Sequence, residues 1–202
     1  PSVKQSYSVN LEGTNTGGDW GAQIKATYEN KNIFKGAETY SSKIHLSYDP
    51  NSWLKSETIN NFNSRDYGID MSVVSPKFIV PFRVNSISKR YGLRTFVRVG
   101  YNYQKIPSYE RPLRYLSFGY ISRNNRSLTQ YFTPMEINGV QYVNKSKTFN
   151  DYIVEHNIAK NFEDYYISST NYTLMWQNKP AEKLQDYSSF RYSIDVTGNT
   201  LF

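Results

Sequence analysis

The chain has 202 residues with a formal net charge of +7, and 16% of the residues are aromatic, including 19 tyrosines. It contains no cysteine, which excludes disulfide scaffolds, zinc–thiolate sites and cysteine nucleophiles. No run of about 18 apolar residues is present, so the sequence predicts no membrane-spanning helix. Lys and Arg are dispersed and form no block, which argues against nucleic acid as a partner.

A two-residue alternation between apolar and polar side chains restarts many times along the chain. Ile24 and Tyr28, for example, occupy apolar positions of the pattern and Lys25 a polar one, and the same alternation surrounds Ile194. Successive side chains of a strand point to opposite faces, so the pattern predicts a sheet with one apolar and one polar face. No linker or break in composition divides the chain, and we expect a single domain over residues 1–202.

Turn signals from Gly, Pro and Asn divide the alternating pattern into nine predicted strands. In chain order the strands cover residues 6–14, 21–30, 38–48, 67–75, 95–104, 116–122, 128–142, 165–177 and 187–198. Pro50 is expected to end the third strand because proline cannot donate to a ladder. Between the seventh and eighth strands the apolar residues recur at helical spacing. A short helix is therefore predicted within 146–164, capped by Ser146 or Thr148.

The two-faced sheet fits a transmembrane β-barrel, in which lipid contacts the apolar face and a polar lumen lies inside. An antiparallel meander forming part of such a barrel is therefore the predicted all-β fold. The side chains predicted to face lipid are Ile24, Tyr28, Ile44, Leu46, Val97, Val99, Tyr192 and Ile194. The charges predicted to face the lumen are Lys25, Arg98, Arg114, Arg191 and Asp195.

Two further features are typical of outer-membrane barrels. Aromatic residues cluster near the predicted strand ends, as an interfacial girdle requires: Tyr28, Phe34, Phe78, Phe82, Tyr120 and Tyr187. Short and long connections alternate in the predicted order, which would place short turns at one end of the sheet and longer loops at the other.

The sequence carries no pattern that predicts an enzyme. His45 lies on a polar strand face, and Asp70 and Asp195 have no nucleophile or base at a suitable spacing. We therefore expect no catalytic residues, no cofactor, no metal site and no enzymatic activity.

Several short motifs occur in order over nearly the whole chain. Near the N-terminus they are EGTNTGGDWG at 12–21 and NIFKGAE at 32–38; SPKF at 75–78, YNYQ at 101–104, FEDYYI at 162–167 and VTGN at 196–199 follow. Together they resemble the opening of the BamA/TamA-type barrel of the bacterial surface antigen superfamily, most closely the TamA-like branch of Bacteroidota. That family has a sixteen-strand barrel with a V-R-G-F-type loop motif in its second half, and neither is present. We therefore expect the N-terminal part of a larger barrel.

The resemblance implies a protein of the bacterial outer membrane that assembles or translocates outer-membrane proteins through a lateral gate. Its implied partners are outer-membrane lipid, client outer-membrane proteins and a periplasmic assembly partner. The edge of the first strand would form the gate: Tyr7, Ser8, Val9, Asn10, Leu11 and Glu12. Two alternatives stay open, because alternation by itself does not distinguish them: a soluble β-sheet ligand-binding or structural protein, and a passive porin-type barrel.

Overall fold

Nine antiparallel strands form one sheet in the computed structural model, which describes residues 4–16, 19–51, 62–79, 92–124, 127–178 and 188–198. The strands are β1 (Gln5–Thr16), β2 (Asp19–Lys31), β3 (Thr39–Asn51), β4 (Phe62–Ser75), β5 (Arg94–Lys105), β6 (Glu110–Asn124), β7 (Leu128–Val140), β8 (Tyr165–Asn178) and β9 (Ser188–Thr197). Each strand pairs with its neighbours in sequence, which confirms the predicted all-β meander. Within the described ranges β1 and β9 do not pair, so the sheet is open.

Three prolines, Pro50, Pro112 and Pro134, lie inside strands, and the expectation that Pro50 ends β3 is wrong. Pro50 pairs with Asn63 of β4, and β3 continues beyond it. The ladder between β2 and β3 ends at Tyr48, so β3 needs no donor on the β2 side at Pro50. Pro112 of β6 is placed in the same way, since the ladder to β7 begins one residue later at Leu113.

The helical segment is shorter than the predicted 146–164. Helix α1 covers Lys147–Glu155, and a 3-10 helix at Ala159–Phe162 follows it. Ser146 caps α1 as predicted, because its hydroxyl accepts a hydrogen bond of 3.2 Å from the Phe149 amide. Asn157, with a left-handed φ of 55°, turns the backbone away after the helix and separates the two helical pieces.

Long and short connections occur at both ends of the sheet, so the expected division between short turns and long loops is wrong. One end, which we call the helix end, carries connections 17–18, 52–61, 106–109 and 141–164. The far end carries connections 32–38, 76–93, 125–127 and 179–187. Successive connections of an antiparallel meander fall at opposite ends, and their lengths here do not follow that order.

The pairing register gathers the apolar side chains on one surface, the apolar face. Leu11, Ile24, Leu46 and Tyr67 lie opposite one another across β1 to β4 and therefore share this face. In contrast, only Phe96, Val140 and Ile153 are buried hydrophobic residues among those described. The sheet therefore carries most of its apolar surface outward.

The other surface, the polar face, contains a close approach between a glycine and an aromatic ring. The Tyr115 ring lies against Gly100, and its hydroxyl donates a hydrogen bond of 2.6 Å to Oδ1 of Asp70. A Cβ at Gly100 would collide with the Tyr115 ring and would lie 2.7 Å from Asp70 Oδ1. Gly100 is therefore needed for the Tyr115–Asp70 hydrogen bond, which links β6 to β4 across β5.

We expect Gly100→Ala to destabilise the sheet by about 1–3 kcal/mol, because the new methyl group must displace Tyr115 and break its hydrogen bond to Asp70. Gly13→Ala is the matched control, since a Cβ there meets nothing within 4 Å. Urea unfolding of both variants under identical conditions measures the difference. Equal free energies of unfolding for the two variants would contradict this account of the packing.

Candidate functional site

The eight residues predicted to face lipid all lie on the apolar face. The register aligns Ile24 with Leu46, and it aligns Tyr28 through Ser42 and Met71 with Val99. Those left exposed by the rest of the chain are Ile24, Ile44, Leu46, Val97, Val99, Tyr192 and Ile194. An uncovered apolar surface therefore extends from β1 to β9 across the described strands.

Aromatic rings flank the apolar face near both of its ends. At the far end the Tyr7 and Tyr28 rings stack with centroids 4.8 Å apart, and Phe78 contacts Tyr120 at 4.9 Å. At the helix end Tyr67 and Tyr103 stack at 4.9 Å. Two rings assigned to the predicted girdle, Phe82 and Tyr187, lie outside the described residues. Phe34, in the connection after β2, is exposed.

The polar face carries four of the five charges that the sequence placed there. Lys25 pairs with Glu12, with Nζ 2.9 Å from Oε2, and Asp195 accepts a hydrogen bond from Asn171. A polar cavity of about 400 Å³ on this face is lined by side chains from β5 and β7 to β9, among them Arg98, Arg191, Glu136 and Asp195. Charged groups thus meet partners and water here, as the alternation predicts.

Phe96 is the residue of the polar face that the sequence reasoning missed. It is 1% exposed, lies against Gly119 and has the Arg98 guanidinium 4.4 Å above its ring. Its position in the polar phase of β5, one residue before Val97, is the signal that could have identified it.

Arg114 does not lie on the polar face, which corrects its predicted position in the lumen. It pairs with Tyr101 of β5 and Gly139 of β7, and the guanidinium carbon is 6.0 Å from the Tyr101 ring centroid. Arg114 has the same strand phase as Leu116 and Phe118, so alternation already places it on the apolar face.

His45, Asp70 and Tyr115 lie together on the polar face, the residue types that a catalytic array could use. The His45 Nδ1 atom is 4.0 Å from Asp70 Oδ2, which is too long for a hydrogen bond, while Tyr115 occupies Oδ1. These contacts tie strands together and align no nucleophile with a base. Among the described residues, no three His, Cys, Asp or Glu side chains are close enough to hold a metal ion.

The residues proposed for a gate lie on a free strand edge. Among the strands that the structure describes, β1 pairs only with β2, and alternate backbone N–H and C=O groups along its other side point away from the sheet. Tyr7, Val9 and Leu11 are 74%, 67% and 75% exposed on the apolar face. Ser8, Asn10 and Glu12 alternate with them on the polar face. This edge has the geometry that accepts an additional strand.

A buried carboxylate joins the helix end of the sheet to the connection that carries α1. Glu110, 7% exposed, accepts hydrogen bonds from Tyr103 and from Asn144 (2.5 Å) and pairs with Lys105 at 2.7 Å. These hydrogen bonds, led by that from Lys105, lower the pKa of Glu110 from 4.5 to about 2. The carboxylate lies at the rim where β6 begins, beyond the apolar face.

Known proteins give no identification of the chain: no protein-family model, curated protein or solved structure matches it. The described residues also include no helix long and apolar enough to cross a membrane. The two faces and the free edges of the sheet are therefore the basis for assigning a function.

The lowered pKa of Glu110 predicts a pH-dependent contribution to stability. Glu110→Gln should destabilise the protein by about 2 kcal/mol at neutral pH, since the hydrogen bonds to a charged acceptor are weakened. Because the folded-state pKa is lower than 4.5, the difference from wild type is fully present above that pH and disappears as the pH falls toward 2.

Urea unfolding of both proteins across this pH range measures the effect. The control is Glu155→Gln, whose exposed side chain has no hydrogen bond within the described ranges. A difference between wild type and Glu110→Gln that stays constant down to pH 2 would contradict the ionised role of Glu110.

Proposed function

We propose that the chain is part of an outer-membrane β-barrel, with lipid against the apolar face and water along the polar face. The observation that carries this proposal is the exposed apolar surface of a sheet that has almost no buried apolar interior. A water-soluble sheet buries its apolar side chains against a second layer. Exposing a surface of this extent to water would instead promote aggregation.

The dimensions of the strands support the same location. They range from 10 residues in β9 to 15 in β6, enough for tilted strands that cross a bilayer with a few residues beyond it. Backbone groups inside a membrane must all be paired, and β2 to β8 each have a partner on both sides. Stacked tyrosines near both ends fit the interfacial belts of such barrels.

We further propose that this barrel assembles or translocates outer-membrane proteins through a lateral gate at β1. This rests on the resemblance to the BamA/TamA-type barrel and on the unpaired edge of β1. A client strand would pair with the free N–H and C=O groups of Tyr7 to Glu12, by strand addition and without bond chemistry. The open sheet leaves room for further strands between β9 and β1 in the complete barrel.

A passive pore is the second candidate, and the polar cavity lined by Arg98, Glu136, Arg191 and Asp195 favours it. Rings of opposite charges in a lumen set conductance and ion selectivity. Conductance across planar bilayers without client assembly in cells would favour the passive pore over the gate.

The membrane location predicts opposite tolerance of charge on the two faces. Ile44→Arg should destabilise the protein in lipid vesicles by about 2–4 kcal/mol, because it places a cation against the hydrocarbon near the middle of β3. Ser47→Arg is the matched control on the polar face of the same strand, directly opposite Gln23 and Asp66. Its cost should stay within about 1 kcal/mol.

Urea titration of vesicle-refolded protein measures both variants. Equal tolerance of the two substitutions, or a wild-type chain that remains monomeric in water without detergent, would contradict the membrane location.

The gate predicts that client chains contact the β1 edge and not the strand behind it. A photo-crosslinking amino acid at Ser8 should capture client outer-membrane proteins during their assembly in cells. The same group at Thr27 is the control, because Thr27 lies directly opposite Ser8 in β2 and points to the same face. Equal client capture at both positions, or at neither, would argue against the lateral gate.

A further inference from the structure

We propose that Arg114 and the groove beside it bind an anionic phospholipid of the membrane. This inference rests on the proposed lipid contact of the apolar face and names one lipid class for one site on it. The groove is a cavity of about 450 Å³ on that face, and its lining is almost entirely apolar apart from Arg114.

The groove exists because a glycine interrupts a row of large side chains. Gly139 lies directly opposite Arg114, and the Tyr166 ring leans over it, so that a Cβ there would lie 2.7 Å from Tyr166 Cε1. Val99, Leu116 and Ile137 continue the lining from Arg114 toward the middle of the sheet. An open apolar groove that is lined in part by an arginine is complementary to the acyl chain of a lipid with an anionic headgroup.

Charge complementarity identifies the occupant. A guanidinium carries five N–H donors, yet Arg114 makes no hydrogen bond or ion pair within the described ranges, and its Tyr101 contact is long at 6.0 Å. In contrast, Lys25 and Asp195 have polar partners on the polar face, and the Arg98 guanidinium lies closer to an aromatic ring, at 4.4 Å. A lipid phosphate can satisfy the guanidinium bidentately, and an anionic phospholipid has no headgroup cation that competes for its phosphate.

The depth of Arg114 agrees with this assignment. It lies four residues along β6 from the rim residue Glu110, or about 13 Å along the strand. A long arginine side chain extends toward the interface, which brings the guanidinium within reach of the phosphate layer at the helix end. An arginine with no anionic partner would only raise the cost of insertion at this position.

Competition between two lipids tests the proposal. Wild-type protein in a neutral detergent receives equal amounts of phosphatidylglycerol and phosphatidylcholine with identical acyl chains, and native mass spectrometry measures the ratio bound. Wild type should favour phosphatidylglycerol, and Arg114→Gln should lower that preference about five- to tenfold. Arg114→Lys should keep part of it, and the control Arg98→Gln, on the polar face, should keep all of it.

The remaining outcomes separate the sources of phosphate. Glycerol phosphate without acyl chains should not compete at the same concentration, and competition as strong as that of the lipid would overturn the assignment to a lipid. An unchanged preference in Arg114→Gln, with circular dichroism showing the same sheet content as wild type, would also overturn it. If the wild-type protein fails to insert into vesicles in the charge-tolerance assay, the proposed function is wrong as well. If it inserts but binds the two lipids equally, only the lipid site is wrong.

Discussion

Strand pairing in strict sequence order is the constraint on which the rest of this structure depends. Each strand pairs with the next one along the chain, and the register keeps most of the apolar side chains on one face from β1 to β9. A shift of one residue in any ladder would move a whole strand's apolar set to the polar face. The two faces therefore depend on eight ladders being in register, and no buried core sets them.

On the polar face, glycines make room for aromatic rings, and opposite charges on neighbouring strands form ion pairs. Gly100 makes room for the Tyr115 ring, and Gly119 does the same for Phe96, so aromatic side chains lie across neighbouring strands without forcing them apart. Lys25 and Glu12 neutralise each other across β1 and β2. These contacts stabilise the sheet from within and leave the apolar face free to meet an apolar solvent.

The two ends of the sheet are held by different contacts. At the helix end, Glu110 and its donors fix the connection that carries α1, and a cluster of rings from Tyr109, Tyr142, Phe149 and Phe162 packs beside it. At the far end, residues 76–79 return over the apolar face, where Thr95 exchanges hydrogen bonds with Lys77 and Ile79. The edges of β1 and β9, in contrast, carry unpaired backbone groups within the described chain, which is where a gate or further strands would join.

The sequence alone determined the number of strands, their meander order and the face of most side chains, and it limited the N-cap of α1 to Ser146 or Thr148, because alternation and capping are local properties of a few neighbouring residues. It did not determine how far β3 and β6 continue past Pro50 and Pro112, since that depends on where the adjacent ladder ends. Tertiary structure also decided which groups meet Glu110, and how Gly139 and Tyr166 open a groove beside Arg114. Those features arise from residues far apart in sequence, which only the register brings together.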